Sequence, residues 1–139
     1  HEFLALCDKH EIRAMVVLFD SVWGPDPVAG PQPAPRTGLH NSGWVQSPGK
    51  EILGDRSRWQ EVKPYVLDII GTFRFDNRIL LWDIVNEPDN DNLLSYGKKG
   101  LDTELPDKQR VGTEFVKAAF GWAREAHPSQ PVTSGPWYG

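Results

Sequence analysis

The sequence has little cysteine, no cluster of basic residues and no long apolar run, and each shortage excludes a class of protein. Cys7 is the single cysteine, so it cannot form an internal disulfide, and we expect it to be a small buried residue. Lysine and arginine are scattered and the formal net charge is -4, which argues against a nucleic-acid partner. No apolar stretch approaches the roughly 18 residues that cross a bilayer, so we expect no membrane partner.

Apolar patterning divides the chain into alternating strands and helices. Runs of β-prone residues cover 12–20, 78–87 and 130–135, and the first two are apolar at nearly consecutive positions, as in strands covered on both faces. Apolar residues at helical spacing run from Trp59 to Phe73, with Pro64 kinking or restarting the helix, and from Val111 to Ala126. The segment FLALCDKHEI reads as the end of a further helix. This alternation predicts an α/β fold with a parallel sheet.

The connections between these elements are uneven in length. Each helix returns to a strand within a few residues, whereas long segments rich in polar and turn-forming residues follow the strands, at 20–54 and 88–106. Long loops at the carboxyl ends of parallel strands lie on the face where α/β folds bind their ligands. The spacing therefore places the candidate binding face at these loops.

The second strand ends abruptly in a polar motif, WDIVNEP, in which Glu87 stands at the mouth of the strand. Alternation puts Asp83 and Glu87 on one side and Asn86 on the other, unless a bulge intervenes. Asp83 would face the interior, where a hydrogen bond or salt bridge is the favoured interpretation. Considered alone, Asn-Glu-Pro is also an ordinary strand terminator, because Asn and Pro both favour turns.

In this position the motif resembles the fourth strand of clan A glycoside hydrolases, particularly family 5-like enzymes. VVLFDSVWG is similar to the third strand with its loop, and PVTSGPWYG to a fifth strand ending in aromatics. The resemblance implies that residues 1–139 are part of a (β/α)8 TIM barrel, about βα units 3 and 4 plus strand 5. Since the chain starts at His1 and stops just after a strand-like segment, we expect it to be incomplete at both ends, and inactive alone.

The resemblance also implies the catalytic roles. Glu87 would be the general acid/base of a retaining hydrolase, and Asn86 would hydrogen-bond the sugar 2-hydroxyl. An apolar strand end fixes such a carboxyl and can raise its pKa. The nucleophile carboxylate, about 5–5.5 Å away, would lie outside this chain. Asp20, at the end of the first strand of this chain, is expected to bind substrate instead.

Aromatic residues in the loops are candidates for stacking on sugar rings. Trp59, Trp82 and Trp122 fall on strand or helix patterns and are expected in the core. Five other residues lie in or beside the long loops and are predicted to contact substrate, although for the histidine a loop-organising role is favoured: Trp23, Trp44, Trp137, Tyr138 and His40.

The resulting hypothesis is a hydrolase of a β-linked oligo- or polysaccharide, of cellulose, mannan or xylan type, with no metal or organic cofactor. The alternative is a non-catalytic carbohydrate-binding TIM barrel that keeps the cleft without hydrolysis. An unrelated α/β hydrolase or a metalloenzyme ranks last, because the sequence has no GxSxG and no HExxH. The resemblance is compatible with a secreted or periplasmic protein, and the oligomeric state is left open.

Overall fold

The computed structural model describes residues 1–24, 26–38, 40–92 and 104–138. Eight elements follow one another along these residues: α1 (Glu2–Lys9), β1 (Ala14–Asp20), α2 (Lys50–Gly54), a 3-10 helix (Arg56–Glu61), α3 (Lys63–Phe73), β2 (Ile79–Asn86), α4 (Lys108–Glu125) and β3 (Val132–Gly135). Within the described residues, none of the helices is both long and apolar enough to span a membrane.

The three strands form one parallel sheet in the order β1-β2-β3. In the register of this sheet Val17 pairs with Asp83 and Asp83 with Thr133, so β2 is the central strand of the described sheet. The helical crossovers that parallel neighbours require are supplied by α3 and α4. The predicted α/β class and parallel sheet are confirmed.

The helical stripe predicted between residues 59 and 73 is divided into two helices. A 3-10 helix is capped by Asp55, whose side chain accepts a hydrogen bond from the Ser57 N–H at 2.9 Å. The chain then restarts as α3 with Pro64 in its first turn, where a missing N–H costs no intrahelical hydrogen bond. The short helix α2 lies inside the predicted 20–54 loop and was not predicted.

An apolar core fills the space between the sheet and the helices. Phe115 of α4 is central to it, since its ring makes edge contacts with Phe19, Trp59 and Trp122 at centroid distances of 5.3, 5.3 and 5.9 Å. Trp82 is fully buried, and its indole N–H donates to Gln130 Oε1 at 3.1 Å. The predicted burial of Cys7 and of the three core tryptophans is confirmed.

Candidate active site at the carboxyl end of β2

Glu87 immediately follows β2 and breaks the regular alternation of that strand. The register between β2 and β3 shifts between Asp83 and Asn86, and Glu87 has a φ of 48°, in the left-handed region. A β-carbon added to Gly135 would lie 3.3 Å from Asn86 Oδ1 and 3.6 Å from Asp83 Oδ2. The exception allowed for in the expected alternation, an irregularity in the strand, therefore applies here: both side chains lie toward Gly135 and not on opposite sides of the strand.

Backbone and side-chain contacts hold Glu87 in this conformation. Its N–H donates to the carbonyl of Gly135 at 2.8 Å, and its carbonyl accepts from the Asn90 N–H at 3.2 Å. Its carboxylate Oε2 accepts from Asn90 Nδ2 at 2.8 Å. The side chain thus stands half-buried at the end of the central strand, with one of its oxygens engaged.

Asp20 and Asn86 are partners across the two strands. They are paired in the β1–β2 register, and Asn86 Nδ2 donates to Asp20 Oδ2 at 3.5 Å. Asp20 also accepts from the backbone N–H of Val22 at 3.1 Å and from Trp23 Nε1 at 3.4 Å. The Asp20 carboxylate therefore orients the first residues of the loop that leaves β1, in addition to any contact with substrate.

Asp83 is buried beneath these side chains. Burial raises its pKa, and the nearby Asp20 carboxylate raises it further, while the backbone N–H groups of Gly135 and Val85 oppose the shift. Its Oδ1 has no hydrogen-bond partner among the described residues. The predicted interior position of Asp83 is confirmed, and a salt bridge to it is not found in the described part of the chain.

The predicted aromatic residues occupy two places beside Glu87. Trp23 makes edge contacts with His40 and Trp44, with ring centroids 5.5 and 6.0 Å apart, and His40 and Trp44 are exposed. The His40 ring thus packs against Trp23 in the loop that follows β1. On the other side, Trp137 and Tyr138 follow β3 and are 49% and 55% exposed.

Asp89, which sequence reasoning missed, holds the backbone of Trp137 and Tyr138 by hydrogen bonds. Asp89 accepts from the backbone N–H of Trp137 at 2.7 Å and of Tyr138 at 2.9 Å, and the Tyr138 hydroxyl donates to Asp91 Oδ1 at 3.2 Å. Burial raises the pKa of Tyr138, with the carboxylate of Asp91 adding to it. The segment after β3 is therefore fastened to the segment after Glu87.

A buried polar cluster, also missed, lies behind the site. It is built around the ion pair between Lys108 Nζ and Glu104 Oε2, at 2.8 Å, whose side chains are 1% and 4% exposed. Lys108 Nζ also donates to the Ser21 carbonyl at 2.6 Å, and Gln46 Nε2 donates both to that carbonyl and to Glu104 Oε2, at 2.8 Å each. Burial lowers the pKa of Lys108, and Glu104 opposes this shift. The only sequence signal was a Glu and a Lys four residues apart at the start of a helix.

Hydrogen bonds therefore connect four of the predicted site residues. Asn86, Asp20 and Trp23 are joined directly, and Trp23 is joined to Glu87 through Asn92 and Asn90. Across residues 1–24, 26–38, 40–92 and 104–138, no group of three or more His, Cys, Asp or Glu side chains is arranged to hold a metal ion.

Comparison with known proteins places the chain in a family of glycoside hydrolases. The family model described as glycosyl hydrolase family 10 matches residues 40–133. The chain belongs to that family, and hence to clan A. The expected family 5-like assignment is replaced by family 10, and neither comparison supports a cellulase.

A curated relative gives a second comparison. Endo-1,4-beta-xylanase A of Caldicellulosiruptor sp. (strain Rt8B.4) is 31% identical over 86 residues, which cover 57% of this chain and 10% of the relative. The chain thus spans about a tenth of the length of that relative.

Proposed function

We propose that this chain supplies the acid/base side of the active site of a retaining glycoside hydrolase that cleaves a β-1,4-linked glycan of xylan type. The observation that carries the proposal is the placement of Glu87, which stands at the carboxyl end of the central strand with a carboxylate oxygen held at 2.8 Å. A rigidly placed carboxyl is what proton transfer to a glycosidic oxygen requires. The substrate class follows the activity for which the xylanase relative is named.

The described sheet supports membership of a (β/α)8 barrel. Its strands are parallel and consecutive, and apolar side chains on it stand open, with Met15 56%, Val17 42% and Leu80 51% exposed. Further strands would cover such positions in a closed barrel. On this proposal residues 1–139 correspond to about βα units 3 and 4 plus strand 5.

Each site residue has a role in this proposal. Glu87 protonates the leaving oxygen while a carboxylate outside this chain attacks the anomeric carbon, and it later deprotonates the incoming water. Asn86 hydrogen-bonds the sugar 2-hydroxyl, and Asp20 orients Asn86. The aromatic groups on either side of Glu87 offer flat faces for sugar rings, with Trp23, Trp44 and His40 after β1 and Trp137 and Tyr138 after β3.

The test is substitution of Glu87 by Gln in the full-length protein, with Glu2→Gln, on exposed α1, as the matched control. We expect Glu87→Gln to lower kcat/KM for β-1,4-xylo-oligosaccharides on the order of a hundredfold or more, because general acid catalysis is lost. Reducing-sugar release measures this. Unchanged activity would mean that Glu87 only ends the strand and is not the general acid/base. Binding of xylan without hydrolysis by the parent protein would favour the non-catalytic carbohydrate-binding barrel.

A further inference from the structure

The Glu87 carboxylate has a hydrogen-bond donor three residues further along the chain. Asn90 Nδ2 lies 2.8 Å from Glu87 Oε2, and Asn90 is 9% exposed. The Asn90 backbone N–H also donates to the Glu87 carbonyl at 3.2 Å. Because both contacts belong to one turn of backbone, the position of the Asn90 amide relative to the carboxylate is set by the chain itself.

The orientation of the Asn90 amide is fixed from its other end. Asn92 donates its backbone N–H to Asn90 Oδ1 at 2.8 Å. Since an amide oxygen accepts and an amide nitrogen donates, this contact turns the nitrogen of Asn90 toward Glu87. Asn92 has a φ of 60°, a left-handed conformation that asparagine tolerates better than most residues.

Asn92 is anchored in turn to the buried polar cluster. Its side chain is fully buried, and Nδ2 donates to Glu104 Oε2 at 2.6 Å. Its Oδ1 accepts from the Trp23 backbone N–H at 3.0 Å. The carboxylate of Glu104 is held by Lys108 at 2.8 Å. These contacts restrict the position of Asn92, because its displacement would leave buried polar groups without their partners.

We propose that Asn90 is a positioning residue for Glu87, and that its amide orients the carboxyl for proton transfer to the glycosidic oxygen. This inference rests on the proposed acid/base role of Glu87 and adds a residue to it. With Oε2 held by the amide, Oε1 carries the proton. That proton passes to the leaving-group oxygen as the bond between this oxygen and the anomeric carbon breaks, and the nucleophile carboxylate forms its bond to the same carbon.

The leaving group distinguishes this role from a structural one. A dinitrophenyl β-xyloside departs as a stable anion and needs little protonation, whereas a sugar alcohol departs only with a proton from the general acid. The kcat/KM values for the two substrates report the same bond cleavage by the same folded molecules. A lower folded fraction would reduce both kcat/KM values equally. Mispositioning of the acid would reduce only the value for the substrate with a sugar leaving group.

The experiment measures both values in the full-length protein for Asn90→Ala, Asn90→Asp and the control Asn77→Ala. Asn90→Asp is nearly isosteric and removes the donor, while Asn77 is exposed in the turn before β2. We expect both Asn90 variants to lose on the order of ten- to a hundredfold on a xylo-oligosaccharide and less than about threefold on the dinitrophenyl substrate. Asn77→Ala is expected to match the parent on both.

Glu87→Ala separates failure of this inference from failure of the proposed function. If Glu87→Ala loses activity selectively on the oligosaccharide but the Asn90 variants lose equally on both substrates, or on neither, the positioning role is overturned and the acid/base role stands. If Glu87→Ala itself shows no such selectivity, the acid/base role fails and the Asn90 inference fails with it.

Discussion

The middle of β2 and the region beyond its carboxyl end are both buried, but opposite kinds of contact hold them. Trp82 and Ile84 are fully buried in the apolar core, where packing and loss of hydrated surface stabilise the fold. Behind Glu87 the fully buried side chains are Lys108, Asn92 and Gln46, which are polar or charged. An apolar core tolerates exchange of side chains of similar volume, whereas a buried polar cluster stabilises only when it is complete.

Replacement of Lys108 by Met should cause the largest loss in the free energy of unfolding. It leaves Glu104 as a buried carboxylate without its cation, and loss of one partner of such a pair costs about 3–5 kcal/mol in the free energy of unfolding. Denaturant unfolding followed by tryptophan fluorescence measures this. Lys117→Met, at an exposed position of the same helix, is the control and should change stability by less than about 0.5 kcal/mol.

A second variant tests whether completeness of the cluster decides its stability. Replacing both partners, as Lys108→Met with Glu104→Leu, removes the unpaired charge and should recover a large part of the loss. If the double variant is less stable than Lys108→Met, and the two losses simply add, then completeness does not decide the stability of the polar cluster. The cluster would then respond to substitution as the apolar core does.

Gly112 of α4 packs closely against Pro88, in the segment that follows β2. A β-carbon there would lie 1.8 Å from the Pro88 carbonyl oxygen, so Gly112→Ala must displace the backbone next to Glu87. We expect a loss of about 1–3 kcal/mol in the free energy of unfolding, together with lower hydrolytic activity.

Gly121, on the same helix, provides the matched comparison. It is exposed, and no atom lies within 4 Å of its added β-carbon. Gly121→Ala should therefore stabilise the protein by about 0.5–1 kcal/mol through helix propensity. Equal changes of the same sign in the two variants would contradict the close approach of α4 to Pro88.

The same contrast explains what the sequence could predict. The core follows from local periodicity, so the strands, the α4 stripe and the restart of the helix near Pro64 were predicted, whereas the short helix α2 was not. Glu87 and Asn86 were predicted as site residues from a short motif, and their roles remain predictions. The polar cluster joins residues from distant segments, Ser21, Gln46, Asn92, Glu104 and Lys108. No local pattern reveals such a set, because each member alone reads as an ordinary surface residue.

The register shift at the end of β2 limited the prediction in a second way. Strict alternation placed Glu87 by counting from Asp83, but a single irregularity reverses the side of every later residue. The irregularity arises in the pairing with β3, where an added Gly135 β-carbon would lie 3.3 Å from Asn86 Oδ1 and 3.6 Å from Asp83 Oδ2. Such a cause is tertiary and is invisible along one strand.

The smallest expected effect concerns Asp83, a polar group inside the apolar region. Burial, and then the Asp20 carboxylate of β1, raise the pKa of Asp83 above its ordinary value of 3.8, and β3 contributes only the opposing N–H of Gly135. Because the folded state binds this proton more tightly than the unfolded state, stability is lost as pH rises from about 3.8 through the raised pKa.

Asp83→Asn cannot ionise, so it should escape this loss. We expect the variant to exceed the parent in the free energy of unfolding at pH 7, and the difference to shrink below about pH 4. Asp68→Asn, at an exposed position of α3, should show no such pH-dependent gain. A parent more stable than Asp83→Asn at pH 7 would mean that the carboxylate has a cationic partner. Polar contacts would then stabilise the middle of β2 as well as the region beyond its carboxyl end.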